Sequence, residues 1–287
     1  MLSVVILTLN EENNLPACLA SLSGVDDIHV LDSGSTDRTD VIAADHGAHV
    51  SINPFQNFAQ QRNHAHEHLR FRHPWVFHLD ADERMTPALL AELRAVAATQ
   101  NAARTADGFW VAPRMLWQGR WVPHCTDYPA WQARFCHAPT FRFVEKGHGQ
   151  READGLRLAY LKNNYEHDMS ASGVDDWLAK HRRYARREAE AWLDSAPPAS
   201  ASLRALLSRD ALVRRRALKN LSYHLPARPL ARLVYQYLLR GGFLDGPAGW
   251  SYCLLLARYE GFAAAEIRRL RKLPRISTAP RPPSGPL

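Results

Sequence analysis

Two carboxylates two residues apart, Asp80 and Asp82, flank a single alanine just beyond an apolar run from Trp75 to Leu79. Hard oxygen ligands of this kind suit Mg2+ or Mn2+, which bind through one or two carboxylates and complete their shells with substrate phosphates. Ala81 is small enough to let a ligand come close to the turn. The same pair also fits a solvated loop that caps the next helix, because Asp is a preferred cap and turn residue. A second polar loop, Asp32-Ser33-Gly34-Ser35-Thr36-Asp37, follows another apolar run. It offers an N-cap through Ser35 or Thr36, or a nucleoside site in which Asp32 accepts from the base or ribose. In Gln60-Gln61-Arg62-Asn63, Arg62 is long enough to reach a pyrophosphate with charge-assisted bonds, although a surface Arg is the commoner fate.

The elements that must position these residues have a clear rhythm. Short apolar runs rich in β-branched residues recur at Ser3 to Leu9, Ile28 to Leu31, His49 to Ile52 and Trp75 to Leu79. Amphipathic stretches lie between and after them, at Leu15 to Leu22, Thr39 to Asp45, Ala59 to Leu69 and Pro87 to Ala97. Alternation of this kind predicts an α/β fold, a mostly parallel sheet with helices on both faces and right-handed crossovers. Ligands then sit beyond the carboxyl ends of the strands, where Thr8, Asn10, Glu11, the Asp32 loop and the Asp80 loop fall on one rim. From Gly108 to about Gly155 the chain is aromatic and loop-rich, with extended pieces at Phe109 to Pro113, Gln132 to Phe135 and Thr140 to Val144. Trp110, Trp117, Trp121, Tyr128 and Trp131 crowd this region. Most should be core, with one or two at a pocket mouth where they could stack on a sugar ring. His64, His66 and His68 read as surface residues, since only His64 and His68 share a helical face.

The 287 residues are 46% hydrophobic and 23% charged, which excludes disorder, collagen and coiled coil. No uncharged run approaches the roughly 20 apolar residues that span a bilayer. The apolar start, Met1 to Leu7, lacks a basic flank and runs into Asn10-Glu11-Glu12, so it reads as a first strand and not a secretory signal. Cys18, Cys125, Cys136 and Cys253 show no paired or zinc-ribbon spacing and predict free thiols in a reducing, cytosolic compartment. Charge is unevenly spread: residues 1–179 hold 15 basic and 22 acidic side chains, residues 180–287 hold 21 and 7.

As an ordered set, these motifs resemble the family 2 glycosyltransferases, inverting enzymes of the GT-A fold. The likeness rests on Ser3 to Glu12, Val30 to Asp37, Gln61-Arg62-Asn63 and Leu79-Asp80-Ala81-Asp82-Glu83, and covers about the first 115 residues. A looser likeness to bacterial lipopolysaccharide-core and exopolysaccharide glucosyltransferases rests on Trp131-Gln132-Ala133-Arg134-Phe135, Gly147-His148-Gly149-Gln150-Arg151-Glu152 and Gly242-Phe243-Leu244-Asp245-Gly246 followed by Gly249. The resemblance implies a nucleotide-diphosphate sugar, a UDP-sugar first, with Thr8, Asn10 and Glu11 near the nucleoside and Asp32 on the base. Asp80 and Asp82 would mark the metal–diphosphate site, with Asp82 the more direct ligand of Mn2+ or Mg2+. Inversion needs a base to take the acceptor hydroxyl's proton, and a carboxylate is the usual candidate. Glu152 aligns best with a His-Glu pair of many relatives, but three residues separate it from His148; Asp127 and Glu145 compete. The implied acceptor is a cell-envelope saccharide, free or lipid-linked.

The basic half offers Trp177 to Leu193, where Lys180, Arg182, Arg183, Arg186 and Arg187 alternate with Trp177, Leu178, Tyr184, Trp192 and Leu193. Leu203 to Leu221 repeats the theme with Arg214-Arg215-Arg216 and Lys219. Such a segment suits an anionic membrane surface on the cytoplasmic side, or a helical cap packed on the catalytic domain. Nucleic acid is the weaker partner, because no RNA- or DNA-binding motif accompanies the charge. The expected divisions are residues 1–115 for nucleotide-sugar binding, 116–173 for the acceptor side, 174–276 basic and helical with a connection at Ser195 to Ser200, and 277–287 a disordered tail. A sugar-1-phosphate nucleotidyltransferase is disfavoured, since Thr8-Leu9-Asn10-Glu11 replaces the Gly-rich phosphate loop it needs. A catalytically silent membrane-binding module with the same fold is the alternative.

Overall fold

The computed structural model describes residues 1–146, 149–171, 173–194, 207–210, 213–214, 217 and 227–272. The expected connection at Ser195 to Ser200, the tail from Ser277, and Gly147, His148, Arg215, Arg216 and Lys219 lie outside them. The chain divides into two units, Met1–Gly173 with Leu244–Gly249, and Val174–Phe243 with Trp250–Leu287.

The first unit is α/β. Its opening elements are β1 (Ser3–Thr8), α1 (Leu15–Ala20), β2 (Ile28–Asp32), α2 (Thr39–Asp45), β3 (His49–Ile52), α3 (Phe58–His68), β4 (Trp75–Asp80), β5 (Glu83–Arg84) and α4 (Pro87–Ala102). The strands β6 (Gly108–Val111), β7 (Pro113–Trp117), β8 (Arg120–Trp121), β9 (Gln132–His137), β10 (Phe143–Lys146), β11 (Gly149–Glu152), β12 (Leu158–Tyr160) and β13 (Tyr165–Asp168) follow. A seven-stranded sheet runs β12-β6-β9-β4-β1-β2-β3. Its strands pair in parallel except around β9, which is antiparallel to both β4 and β6. The alternation at the start of the chain predicts the parallel part.

Central strands are apolar on both faces because helices cover both, and β1 is buried at every position. One core gathers Val4, Ile6, Leu15, Leu79, Leu89 and Leu93 with the rings of Trp75, Phe77, Phe109 and Phe135; Trp75 and Phe135 lie 5.2 Å apart. Gly108 is required where it stands, because a Cβ there would sit 2.5 Å from the Phe141 ring.

Register then fixes the rim. Leu7 pairs with Asp80 and Thr8 with Asp32, so both carboxylates emerge at the same end of the two strands that flank β1. Along β9 the register slips: Phe109 opposes Phe135 and Trp110 opposes Ala133, leaving Arg134 as the extra residue of a bulge. Bulges bend a strand and re-aim a side chain, often beside active sites. A four-stranded sheet, β5-β13-β7-β8, stands next to it in sequence and sets Glu83 opposite His167.

In the second unit, α5 (Gly173–Asp194) buries a stripe at four-residue steps, Trp177, Ala185 and Ala189. Asp175 and Asp176 in its first turn complement the helix dipole. The stripe meets the long helix that begins at Gly246. We label α6 Arg228–Val234, continued by a π turn at Tyr235–Leu239, and α7 Gly246–Lys272. Trp177 touches Tyr252, His181 meets Tyr259 edge-on, and Arg182 lies over Phe262.

Candidate active site

Over the ends of β1 and β2 two loops are zipped together. Asp32, 2% exposed, accepts from Thr8 Oγ1 at 2.8 Å, Gly34 N at 2.8 Å, Ser35 N at 2.6 Å and Ser35 Oγ at 2.5 Å. These four donors fill the acceptor sites of a carboxylate. Burial works against the ionised form, but these hydrogen bonds hold Asp32 below the usual carboxylate range. Asp32 thus also shapes the loop beyond β2 through these bonds. Asn10, in the left-handed region at φ 57°, accepts from Thr36 N, and its own N–H donates to Ser35 Oγ. Glu11 N donates to Thr39 Oγ1, and Glu11 accepts from Asn14. The N-cap of α2 is Arg38, without a side-chain cap bond, and not Ser35 or Thr36; Asp37 just before it accepts from Thr39 N.

At the end of β4 lies a denser cluster. Arg62, 1% exposed, donates from Nη2 to Asp80 Oδ1 at 2.9 Å, and Arg134, 3% exposed, donates from Nη2 to Asp80 Oδ2 at 2.9 Å. Arg134 also reaches Glu83 Oε1 at 2.9 Å and, through Nε, Gln132 Oε1 at 2.9 Å. Glu83 Oε2 accepts from Asp80 N. Burial opposes ionisation of Asp80, yet the two arginines keep its carboxyl well below the usual range. Glu83 is pushed up by burial and by Asp80, against the pull of Arg134. His167 lies 3.5 Å from both Glu83 and Asp82. Burial alone would depress its pKa; the hydrogen bond to Glu83 and the charges of Asp82, Glu83 and Asp80 raise it to about 9, so it is an imidazolium at neutral pH.

Each residue of Gln61-Arg62-Asn63 fastens a different element. Gln61 holds Asn53 and Ser33, Arg62 holds Asp80, and Asn63 exchanges two bonds with the backbone of Phe143 on β10. Arg62 is thus a buried partner of Asp80 that also lines the cleft. The surroundings of the D-x-D pair differ. Asp80, its side chain 31% exposed, has one guanidinium bond on each oxygen and keeps lone pairs toward the cleft that it lines. Asp82 keeps a side chain 29% exposed, with only His167 at 3.5 Å. Among the described residues no three His, Cys, Asp or Glu side chains converge on a metal position. Mg2+ or Mn2+ would fit this donor set through Asp82, or through the lone pairs that Asp80 keeps, together with phosphate and water, the usual habit of Mg2+.

Arg62, Asp80, Glu83, Arg134 and His167 line a cleft of about 740 Å3. Trp110, Trp131 and Tyr160 form its aromatic wall, with Tyr160 4.7 Å from Trp110 and 4.8 Å from Trp131. Trp117 is core, and Trp121 packs on Tyr128 and Arg114. Of the three candidate bases, Glu152 lines the cleft beside Lys146, Gln150 and Arg151. Glu145 is exposed and accepts from Asn57. Asp127 is exposed in the loop after β8 and does not line the cleft. That loop is held from afar: Asp245, its side chain 2% exposed, accepts from His124 N, His124 Nδ1 and Cys125 N. His66 is corrected from surface to core, 9% exposed and 2.8 Å from His78. The four cysteines are free and buried.

A mostly parallel sheet with carboxylates at its strand ends and an aromatic cleft beside them is the plan of an α/β ligand-binding enzyme. Residues 3–147 match the model of glycosyl transferase family 2, and the chain belongs to that family, a family of glycosyltransferases. It is 39% identical over 93 residues to the lipopolysaccharide core biosynthesis glycosyltransferase LpsC of Rhizobium meliloti, covering 31% of this chain and 34% of that one. It is 32% identical over 104 residues to an uncharacterized glycosyltransferase of Rickettsia bellii, covering 36% and 35%. These matches span about a third of each relative. Among solved structures it is similar to glucosyl-3-phosphoglycerate synthase from Mycobacterium tuberculosis in complex with Mn2+ and UDP-glucose, at a TM-score of 0.32 and 23% identity over 40% of this chain and 44% of that one.

Proposed function

We propose that this glycosyltransferase moves a hexose, with inversion, from a nucleotide-diphosphate sugar to a cell-envelope saccharide, free or lipid-linked, with UDP-glucose the first donor to test. The observation that carries the reading is the convergence in one cleft of Asp80 and Glu83, the carboxylate of Glu152, and an aromatic wall suited to sugar rings. Similarity to an enzyme of lipopolysaccharide core biosynthesis supports the acceptor class. Thr8, Asn10 and Glu11, with the loop that Asp32 shapes, receive the nucleoside. Asp82 would hold Mn2+ or Mg2+, which when bound stabilises negative charge on the leaving diphosphate.

In this reading the acceptor sugar lies against Trp131 and Tyr160, and Glu152 accepts the proton of the attacking hydroxyl as the bond to the diphosphate breaks on the far side of the anomeric carbon. Incubating radiolabelled UDP-glucose and Mn2+ with envelope saccharides tests this. Label should pass to a saccharide, and Glu152→Gln should lower kcat by about 10²-fold or more while UDP affinity stays within about threefold. Near-normal turnover in Glu152→Gln would remove it as the base; no consumption of any nucleotide sugar would remove the reading.

A further inference from the structure

The helical unit contains a segment whose amphipathicity is inside out. Along α6 and its π turn the buried positions are polar: Arg228 is 4% exposed, 2.5 Å from Glu260, and Gln236 is 4% exposed. Leu233 is half-buried, and the other leucines face outward, with Leu230 60%, Leu238 56% and Leu239 76% exposed, followed by Phe243 at 50% and Trp250 at 44%. Tyr237 joins the last two, its ring 6.3 Å from Phe243 and 4.9 Å from Trp250. A helix that faces water normally shows the opposite pattern, and contiguous exposed apolar surface of this kind marks a binding face.

We propose that this face docks on an anionic lipid bilayer, seated in the headgroup region and not spanning it. Charge complementarity chooses the partner: residues 180–287 carry 21 basic and 7 acidic side chains, and Arg232 and Arg240 lie within the apolar segment itself. Aromatic residues at the edge of an apolar face suit the membrane interface, and a shallow apolar insertion combined with cations gives reversible anchoring that neither gives alone. Among the described residues no helix is long and apolar enough to cross a membrane.

The geometry also revises the expectation from sequence. The apolar stripe of α5 is occupied by α7, through Trp177 with Tyr252 and His181 with Tyr259. Lys180, Arg183 and Arg187 of α5 remain exposed. α5 thus supplies charge, and the apolar contact comes from α6 and the start of α7.

Cosedimentation of the full chain with vesicles tests the assignment, using phosphatidylcholine alone and phosphatidylcholine with about one third phosphatidylglycerol. The protein should bind the anionic vesicles at least about tenfold more tightly, and less as salt rises. The double variant Leu238→Asp with Leu239→Asp should lower that binding by about tenfold or more at an unchanged melting temperature, and Leu238→Trp should strengthen it. If the aspartates unfold the chain, the Trp variant alone decides. The proposal is overturned if the wild type binds neither vesicle, or if binding ignores these substitutions. It is equally overturned if the protein is a dimer without lipid that the Asp variant splits, for then a second copy covers the face.

Discussion

Arg134 shows how much of this site depends on one buried charge. Its Nη2 lies 2.9 Å from both Asp80 and Glu83, and its guanidinium sits 5.5 Å over the Tyr165 ring. Removing one partner of a buried ionic cluster leaves the rest uncompensated, at a cost of about 3–5 kcal/mol. Arg134→Met should therefore lower the unfolding free energy in urea by about 3 kcal/mol, and adding Glu83→Gln should restore part of the loss. A loss no greater than that of an average surface substitution would show that Arg62 alone balances Asp80. Arg134 lies within Trp131 to Phe135, where sequence alone does not reveal its burial. A charge between Ala133 and Phe135 looks like the outward residue of an alternating strand, and only the bulge, created by pairing with β6 more than 20 residues away, turns it inward. His167 has no sequence signal at all, because its partners Asp82 and Glu83 lie across a sheet. The D-x-D pair, by contrast, is legible as a pair while the different surroundings of its two members are not, since those depend on two arginines from α3 and β9.

At the scale of elements, α3 is the beam that ties the rim together. Its N-cap Asn57 accepts from Gln60 N, and its buried face carries Gln61, Arg62, Ala65 and His66. His66 bonds the Phe141 carbonyl and lies 2.8 Å from His78 on β4. Burial depresses His66 to about 4 and holds His78 well below the usual imidazole range. Unfolded, a histidine takes its proton near 6.5, so below that pH the unfolded chain binds more protons than the folded one. The stability from keeping His66 neutral is complete above about 6.5 and is lost as pH falls toward 4. At pH 5 the loss should be on the order of 2 kcal/mol. His66→Gln should reduce the difference in urea midpoint between pH 7.5 and pH 5 by a corresponding amount; an identical pH dependence would contradict the account. The strands and helices of the first hundred residues are legible because apolar runs end at turn residues, so that α2 and β3 fall at the expected residues. The antiparallel insertion of β9 between β4 and β6 is not, because strand pairing across 50 residues leaves no local mark.

For the whole molecule, family membership and fold agree with the order of motifs along the chain, which is where sequence reading is strongest. The contacts that assemble the cleft are long-range: Arg134 to Asp80, Asn63 to β10, and Asp245 to the loop after β8, 121 residues away. Such contacts explain why the strand-end rim can be read from sequence while the side of the cleft around Glu152 cannot. They also explain the fate of Asp127 and Glu145, which share a region with Glu152 in sequence but not the cleft. The charge difference between the two halves is a property of the entire chain, and its expected readout is the salt dependence of vesicle binding given above.

The central claim is that the strand-end rim binds a nucleotide diphosphate through a divalent ion on Asp82. Calorimetric titration with UDP, with and without Mn2+, tests it most directly in the wild type and in Asp82→Asn. The account predicts binding that requires Mn2+ and falls by about 10²-fold or more in Asp82→Asn, with an unchanged melting temperature of the unliganded protein. UDP affinity indifferent to both Mn2+ and Asp82→Asn would contradict it.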